Sequence, residues 1–315
     1  MIGANSAGAA SAVIPIKSST EIPAILAPEP DVFLLRAKRF EQLAEGHSLG
    51  GWLRFLGAIS QAQHDALLGL PDLPLPDAAA LARAREHRMP PLPAQSWPRD
   101  PAWHGALRHI AAAALPLAPA GAERTRAGIA SIATMSVERV EALAERVLHT
   151  ELHGEDAALL PYVGAALQVL WTGLAMRIAP RLDALDVPGV CPCCGFLPVA
   201  SVVKTVGEVG NLRYLHCALC NTEWNMVRVK CAACDSTEAI AYHELEGEGG
   251  EGVRNPGAVR AETCDHCKSY LKIVYREKGG VDPIADDLAT LALDILLDEA
   301  GYSRAGPNLL FVPGP

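Results

Sequence analysis

From Asp31 onward, Phe33, Ala37, Phe40 and Ala44 recur at helical spacing. After a Gly-His-Ser break, Leu49, Trp52, Leu53, Leu56, Ile59 and Gln63 continue a second helix. Both stripes are expected to face a core. Residues 70–101 carry eight prolines, Pro90, Pro91 and Pro93 among them. Proline neither continues a helix nor donates to a ladder, so this segment should wrap the surface, with one short helix near Ala78–Arg88. Further helices are expected over Ala102–Leu115 and, behind a Ser136 N-cap, over Val137–Leu148. In Ala157–Met176 Gln168 is the one strongly polar side chain, and Pro161, Gly164, Gly173 and the following Arg177 argue against a membrane span. A helix buried on all sides at the centre of a bundle fits better. Residues 1–30 are small, Ser/Ala/Pro-rich and aperiodic, and read as a mobile arm.

Near Val187–Pro188 the period changes. Short β-branched runs at Ala200–Lys204, Arg213–Leu215, Val227–Val229 and Leu271–Tyr275 predict strands. Asp282-Pro283 then reads as the N-cap and first residue of a C-terminal helix. Its apolar face would be Ile284, Leu288, Leu291 and Ile295, with Gly301 as its end. That helix is expected to dock on the bundle, with Asp286, Asp287, Asp294 and Asp298 as a solvated face. The fold class is therefore α+β and multidomain. A helical domain (31–185) precedes two ribbon units (186–226 and 227–280) and a C-terminal helix with tail (281–315).

Strands so short need something other than a core to hold them, and the cysteines supply it. All nine lie after residue 190, and eight form Cys-x-x-Cys pairs at 191/194, 217/220, 231/234 and 264/267. Such a turn places two sulfurs on two corners of a tetrahedron, and a second turn from a neighbouring hairpin supplies the other two. Chelation in sequence order gives Cys191, Cys194, Cys217 and Cys220 around one metal ion, and Cys231, Cys234, Cys264 and Cys267 around another. An interleaved scheme would join 191/194 to 231/234 and 217/220 to 264/267. Disulfide frameworks belong to short secreted chains, whereas this one is long enough to bury a core. Its first cation is Lys17, so no export signal is expected. Tetrahedral sulfur suits zinc and iron alike.

In such turns the residue after the second cysteine often takes positive φ so that backbone N–H groups point at sulfur. Gly195, Asn221 and Asp235 suit that position, and Lys268 departs from it. Cys193 reads as a bystander, and His216 and His266 as non-ligands. Of the other histidines only His149 and His153 stand at H-x-x-x-H spacing, and they are read as giving no further metal centre or triad. No Walker loop occurs. Gly46–Gly50 spells Gly-x-Ser-x-Gly but lies between two predicted helices, and Gly247–Gly252 spells Gly-x-Gly-x-x-Gly but lies between predicted ribbon strands. Neither has the strand-to-helix turn that a nucleophile elbow or dinucleotide fingerprint needs. The glycine-rich run at 247–257 carries Glu where a phosphate loop needs Lys, and reads as a hairpin tip. Net charge is −9 overall. Residues 191–315 hold 11 basic against 17 acidic side chains, and a divalent ion in four thiolates adds about −2 per site. A phosphate backbone would be repelled, so no nucleic-acid partner is expected.

The motifs Cys-Pro-Cys-Cys-Gly (191–195), Leu-His-Cys-Ala-Leu-Cys-Asn-Thr-Glu-Trp (215–224), Val-Lys-Cys-Ala-Ala-Cys (229–234) and Glu-Thr-Cys-Asp-His-Cys-Lys-Ser-Tyr-Leu-Lys-Ile (262–273) go further. In combination they resemble the formate dehydrogenase accessory protein FdhE family. The resemblance implies two rubredoxin-like domains behind the helical domain, with iron in rubredoxin-type sites on the eight paired cysteines and zinc as the alternative. It also implies a cytoplasmic, non-catalytic maturation factor. Its partner would be the catalytic subunit of an exported, molybdenum-containing respiratory formate dehydrogenase, and homodimer formation is compatible with the sequence. A rubredoxin-like electron-transfer protein is the alternative function, and a nucleic-acid-binding zinc ribbon a weaker one.

Overall fold

The computed structural model describes residues 22–118, 122–187, 189–245 and 257–312. Helices α1 (Val32–Ala44), α2 (Gly50–Leu68), α3 (Ala78–Glu86), α4 (Ala102–Ala114), α5 (Glu123–Ser131), α6 (Val137–Leu148) and α7 (Leu160–Ile178) build the N-terminal part. Helix α6 is capped as expected, with the Arg139 N–H donating to Ser136 Oγ. Helix α5 falls outside the periodic pattern, because its sequence is polar and only Ile129 is buried. The first two stripes are core at Phe33, Ala37, Phe40, Ala44, Leu53, Leu56, Ile59 and Gln63, whereas Trp52 is only partly buried and Leu49, just ahead of α2, is exposed.

Helix α7 runs through the centre. The helical span 157–181 is long and apolar enough to cross a membrane, with a hydropathy of 1.4, yet 83% of its apolar 18-residue window is buried within the protein. One side packs on α2, α4 and α6. Another meets the C-terminal tail at Gly164, where a Cβ would stand 2.6 Å from the Leu309 carbonyl oxygen.

The strands are β1 (Ile25–Leu26), β2 (Pro198–Val206), β3 (Val209–Cys217), β4 (Glu223–Asn225), β5 (Ile240–His243), β6 (Val259–Cys264), β7 (Ser269–Tyr275) and β8 (Ser303–Arg304). They form one sheet in the order β1-β4-β3-β2-β7-β6-β5, with β8 beside β7. The two ribbons are fused by a parallel β2–β7 pairing that matches Ala200 to Lys272 and Val203 to Tyr275. One apolar cluster runs from Phe33 in α1 through Trp171 and the first four paired cysteines to Val274. The second ribbon has a small cluster of its own, Ala261, Tyr270, Leu293 and Leu297.

Four expectations change. Of the expected arm, residues 1–21 lie outside the described residues, but 22–30 belong to the fold. Ile25 and Leu26 pair with Trp224 and Glu223, and Tyr214 Oη donates to the Pro23 carbonyl. The β-prone run Val227–Val229 is not a strand. The carbonyls of Val227, Arg228 and Lys230 accept from the buried guanidinium of Arg213, which takes the place of a ladder partner. The C-terminal helix is two helices, α8 (Pro283–Leu288) and α9 (Leu291–Glu299). The break is held from the sheet, because Lys272 Nζ donates to the carbonyls of Asp287 and Thr290.

The fourth change concerns the acidic face. Asp286 and Asp287 are 2% and 0% exposed, Asp294 is partly buried, and Asp298 alone is solvated as expected. Arg39 pairs with Asp286, Lys272 and Arg304 with Asp287 and Asp294, and Arg36 with the N-cap Asp282. Thus α8 docks on α1 of the bundle, whereas α9 buries Leu293 and Leu297 on the second ribbon and leaves Ile295 exposed. The glycine-rich 247–257 run lies, except for Gly257, outside the described residues.

Candidate metal centres

The eight paired thiols assemble in sequence order, Cys191, Cys194, Cys217 and Cys220 in one group and Cys231, Cys234, Cys264 and Cys267 in the other. Within each, all four sulfurs lie within 4.8 Å of one another. The interleaved arrangement does not form. Each turn has the same local cause. The N–H of Cys191, Cys217 and Cys231 donates to the carbonyl five residues on, at 2.9, 2.9 and 2.8 Å. The N–H groups of Gly195, Asp235 and Lys268 reach back to Cys191, Cys231 and Cys264. Closing such a loop forces the residue after the second cysteine left-handed: φ is +72° at Gly195, +58° at Asn221, +66° at Asp235 and +55° at Lys268. Lys268 therefore does not depart from the pattern, and its ammonium turns away to Asp265 Oδ1 at 2.6 Å.

Backbone N–H groups of Leu219 and Cys220 lie 3.4 Å from Cys217 Sγ, and that of Ala233 lies 3.4 Å from Cys231 Sγ. Sulfur–sulfur distances are 3.5 Å for 191–220, 194–217 and 194–220, and 3.7 Å for 231–267 and 234–264. A tetrahedron with metal–sulfur bonds of about 2.3 Å has edges of about 3.8 Å, so both cages fit a zinc- or iron-sized ion. Burial pushes the Cys191 and Cys194 thiols well above the ordinary range. A divalent cation at the centre reverses that preference and makes them thiolates.

Helix α7 and the proline-rich segment enclose the first group. Gln168 Nε2 donates to the Ala218 carbonyl inside the second turn at 2.7 Å, and Gln63 Nε2 donates to Gln168 Oε1 at 2.9 Å. The isolated polar residue of the apolar helix thus grips a knuckle. Thr172 Oγ1 accepts from Asn221 Nδ2, and Asn221 Oδ1 accepts from Arg36 and faces His216 Nε2. His216 spends its other ring nitrogen on Glu223, 3.2 Å away, and does not point at sulfur. Burial opposes ionisation of Glu223, yet His216 and Lys204 outweigh it and hold the carboxyl at about 2. Cys193 is fully buried beside the first group without joining its four sulfurs.

The second group is more open. Cys234 is partly exposed and Cys267 exposed. Ser269 Oγ lies 2.9 Å from Cys267 Sγ. Burial opposes ionisation there too, but that hydrogen bond and the neighbouring Cys234 bring the thiol down to about 7. His266 is exposed and lies outside the group. Sequence reasoning missed two features built across long separations. Arg213 donates to Glu262 across the two ribbons at 2.8 Å. In the bundle, Glu141 joins Arg99, Trp103 and His104.

The fold and its two four-cysteine groups define a helical scaffold carrying a fused pair of ribbons, each with four sulfurs that could hold a metal ion. Three family models match in succession: "FdhE, N-terminal" over residues 22–185, "FdhE, central domain" over 190–228 and "FdhE, C-terminal domain" over 229–311. The chain is 41% identical to a protein FdhE homolog of Edwardsiella ictaluri, covering 93% of this chain and 92% of that one. It is 38% identical to a homolog of Pseudomonas aeruginosa, covering 95% and 96%. The crystal structure of the FdhE protein from Pseudomonas aeruginosa superposes with a TM-score of 0.76 at 37% identity, over 93% of this chain and 100% of that one. The chain belongs to the FdhE family.

Proposed function

We propose that this chain is a cytoplasmic accessory protein for assembly or activation of a molybdenum-containing, exported respiratory formate dehydrogenase. In this reading it binds the catalytic subunit of that enzyme and turns over no substrate itself. The eight paired cysteines hold two metal ions, iron in the first instance, and the units 31–185, 186–226 and 227–280 act as one binding body. The observation that carries the reading is the pair of tetrahedral sulfur cages in a chain of this family, spaced for thiophilic ions and free of any disulfide among the nine cysteines. The strongly acidic cysteine region supports a protein client over a nucleic acid.

Deleting the gene tests it. Respiratory formate dehydrogenase activity should vanish while the catalytic subunit is still synthesised, and tagged protein should retain that subunit from extract. Full activity in the deletion strain rejects the proposal.

A further inference from the structure

The two sulfur groups differ in cover. Each sulfur-bearing residue of the first is at most 1% exposed. The proline-rich segment closes over it: the Leu92 N–H donates to the Cys193 carbonyl at 3.1 Å and the Ala94 N–H to the Cys194 carbonyl at 2.9 Å. Trp171 of α7 fastens that strap from behind through the Leu92 carbonyl at 3.4 Å. A competing ligand reaches this cage only if strap and bundle open together.

At the second group, Cys231 and Cys264 are buried, Cys234 is partly exposed, and Ala233, His266, Cys267 and Lys268 are all exposed. Backbone bonds to its turns come from Ser236, Ala239 and Ser303, all within the second ribbon or β8. No strap from the bundle crosses these turns among the described hydrogen bonds.

We propose that the second group is an exchange centre, at which a thiophilic divalent metal ion enters and leaves through Cys267, while the first is a sealed centre that fixes the ribbon to the bundle. This rests on the reading that both groups hold metal. The step is a ligand substitution. A bond forms between the metal and an incoming thiolate or chelator, the bond to Cys267 Sγ breaks, and the released thiolate takes a proton from water. No oxidation state changes.

The test uses full-length protein reconstituted with two zinc ions per chain, mixed anaerobically with excess pyridylazoresorcinol, with N-ethylmaleimide labelling followed by peptide mass spectrometry. One equivalent should leave at least about tenfold faster than the other, as expected when one site needs local unfolding and the other does not. Labelling of Cys231, Cys234, Cys264 and Cys267 should track the fast phase. Cys267→Ser should remove the fast equivalent and keep the slow one. Ala94→Pro, which deletes the N–H bonded to Cys194, should accelerate the slow one alone; should it not fold, the labelling order in the natural protein decides. Two equivalents leaving at one rate, or first labelling at Cys191–Cys220, overturns the proposal. Failure to bind zinc at all, with eight thiols labelling alike, rejects the metal reading beneath it.

Discussion

Glu223 shows how much one side chain beside the first cage carries. Its carboxylate is buried between His216 and Lys204 and titrates at about 2, against an ordinary value of 4.5. A folded pKa below the unfolded one means that the charged form stabilises the fold. That contribution is full above about pH 4.5 and disappears as the pH falls toward about 2. Its ceiling, from a shift of this size, is on the order of 3 kcal/mol. Denaturation of the natural protein and of Glu223→Gln across pH 2–7 should show the difference between them shrinking through that window. A constant difference would contradict the assignment. At this scale the sequence is informative where chemistry is local: Gly195, Asn221 and Asp235 announce left-handed turns by their own preferences. Lys268 does not, because the turn's hydrogen bonds impose that φ whatever the side chain prefers. The role of Gln168 as a knuckle clamp is equally hidden, since Ala218 is 50 residues away.

Between elements, Arg213 does what a strand is expected to do. Its guanidinium serves Ser201, the carbonyls of 227, 228 and 230, and Glu262 at once. Arg213→Met takes the ion-pair partner from the buried Glu262, whose carboxyl is already pushed up by burial, and leaves it only the Tyr242 hydroxyl, a kind of change that costs about 3–5 kcal/mol. Urea denaturation of the metal-loaded protein should show that loss, and Arg213→Lys should not restore it, because an ammonium cannot span the fork. Helix starts are legible because Ser136 and Asp282 cap locally. The break after Leu288 is not, because it depends on Lys272 reaching across from β7. The same distance explains the acidic residues: at helical spacing Asp286 and Asp287 resemble a wet face, and only the tertiary placement of Arg39, Arg304 and Lys272 buries them.

At the scale of the molecule, two units that read as separate ribbons share one sheet, joined by the parallel β2–β7 pairing. Periodicity marks each strand but not its neighbour, so the fusion is not legible in the sequence. Among the described residues the second ribbon's own apolar cluster has four buried residues, too few to hold a fold alone, so in the proposed reading a metal ion adds to the β2–β7 pairing as its staple. Cys264→Ser should therefore lose one metal equivalent and render residues 229–275 protease-sensitive, while the bundle keeps its helical circular dichroism. A variant as resistant as the natural chain would contradict that role.

The most direct test of the whole account is elemental analysis of anaerobically purified native protein, combined with a count of accessible thiols. Two thiophilic metal ions per chain, with the eight paired cysteines protected until the metal is removed, is the predicted result. A metal-free, stably folded protein with all eight thiols freely titratable would contradict it.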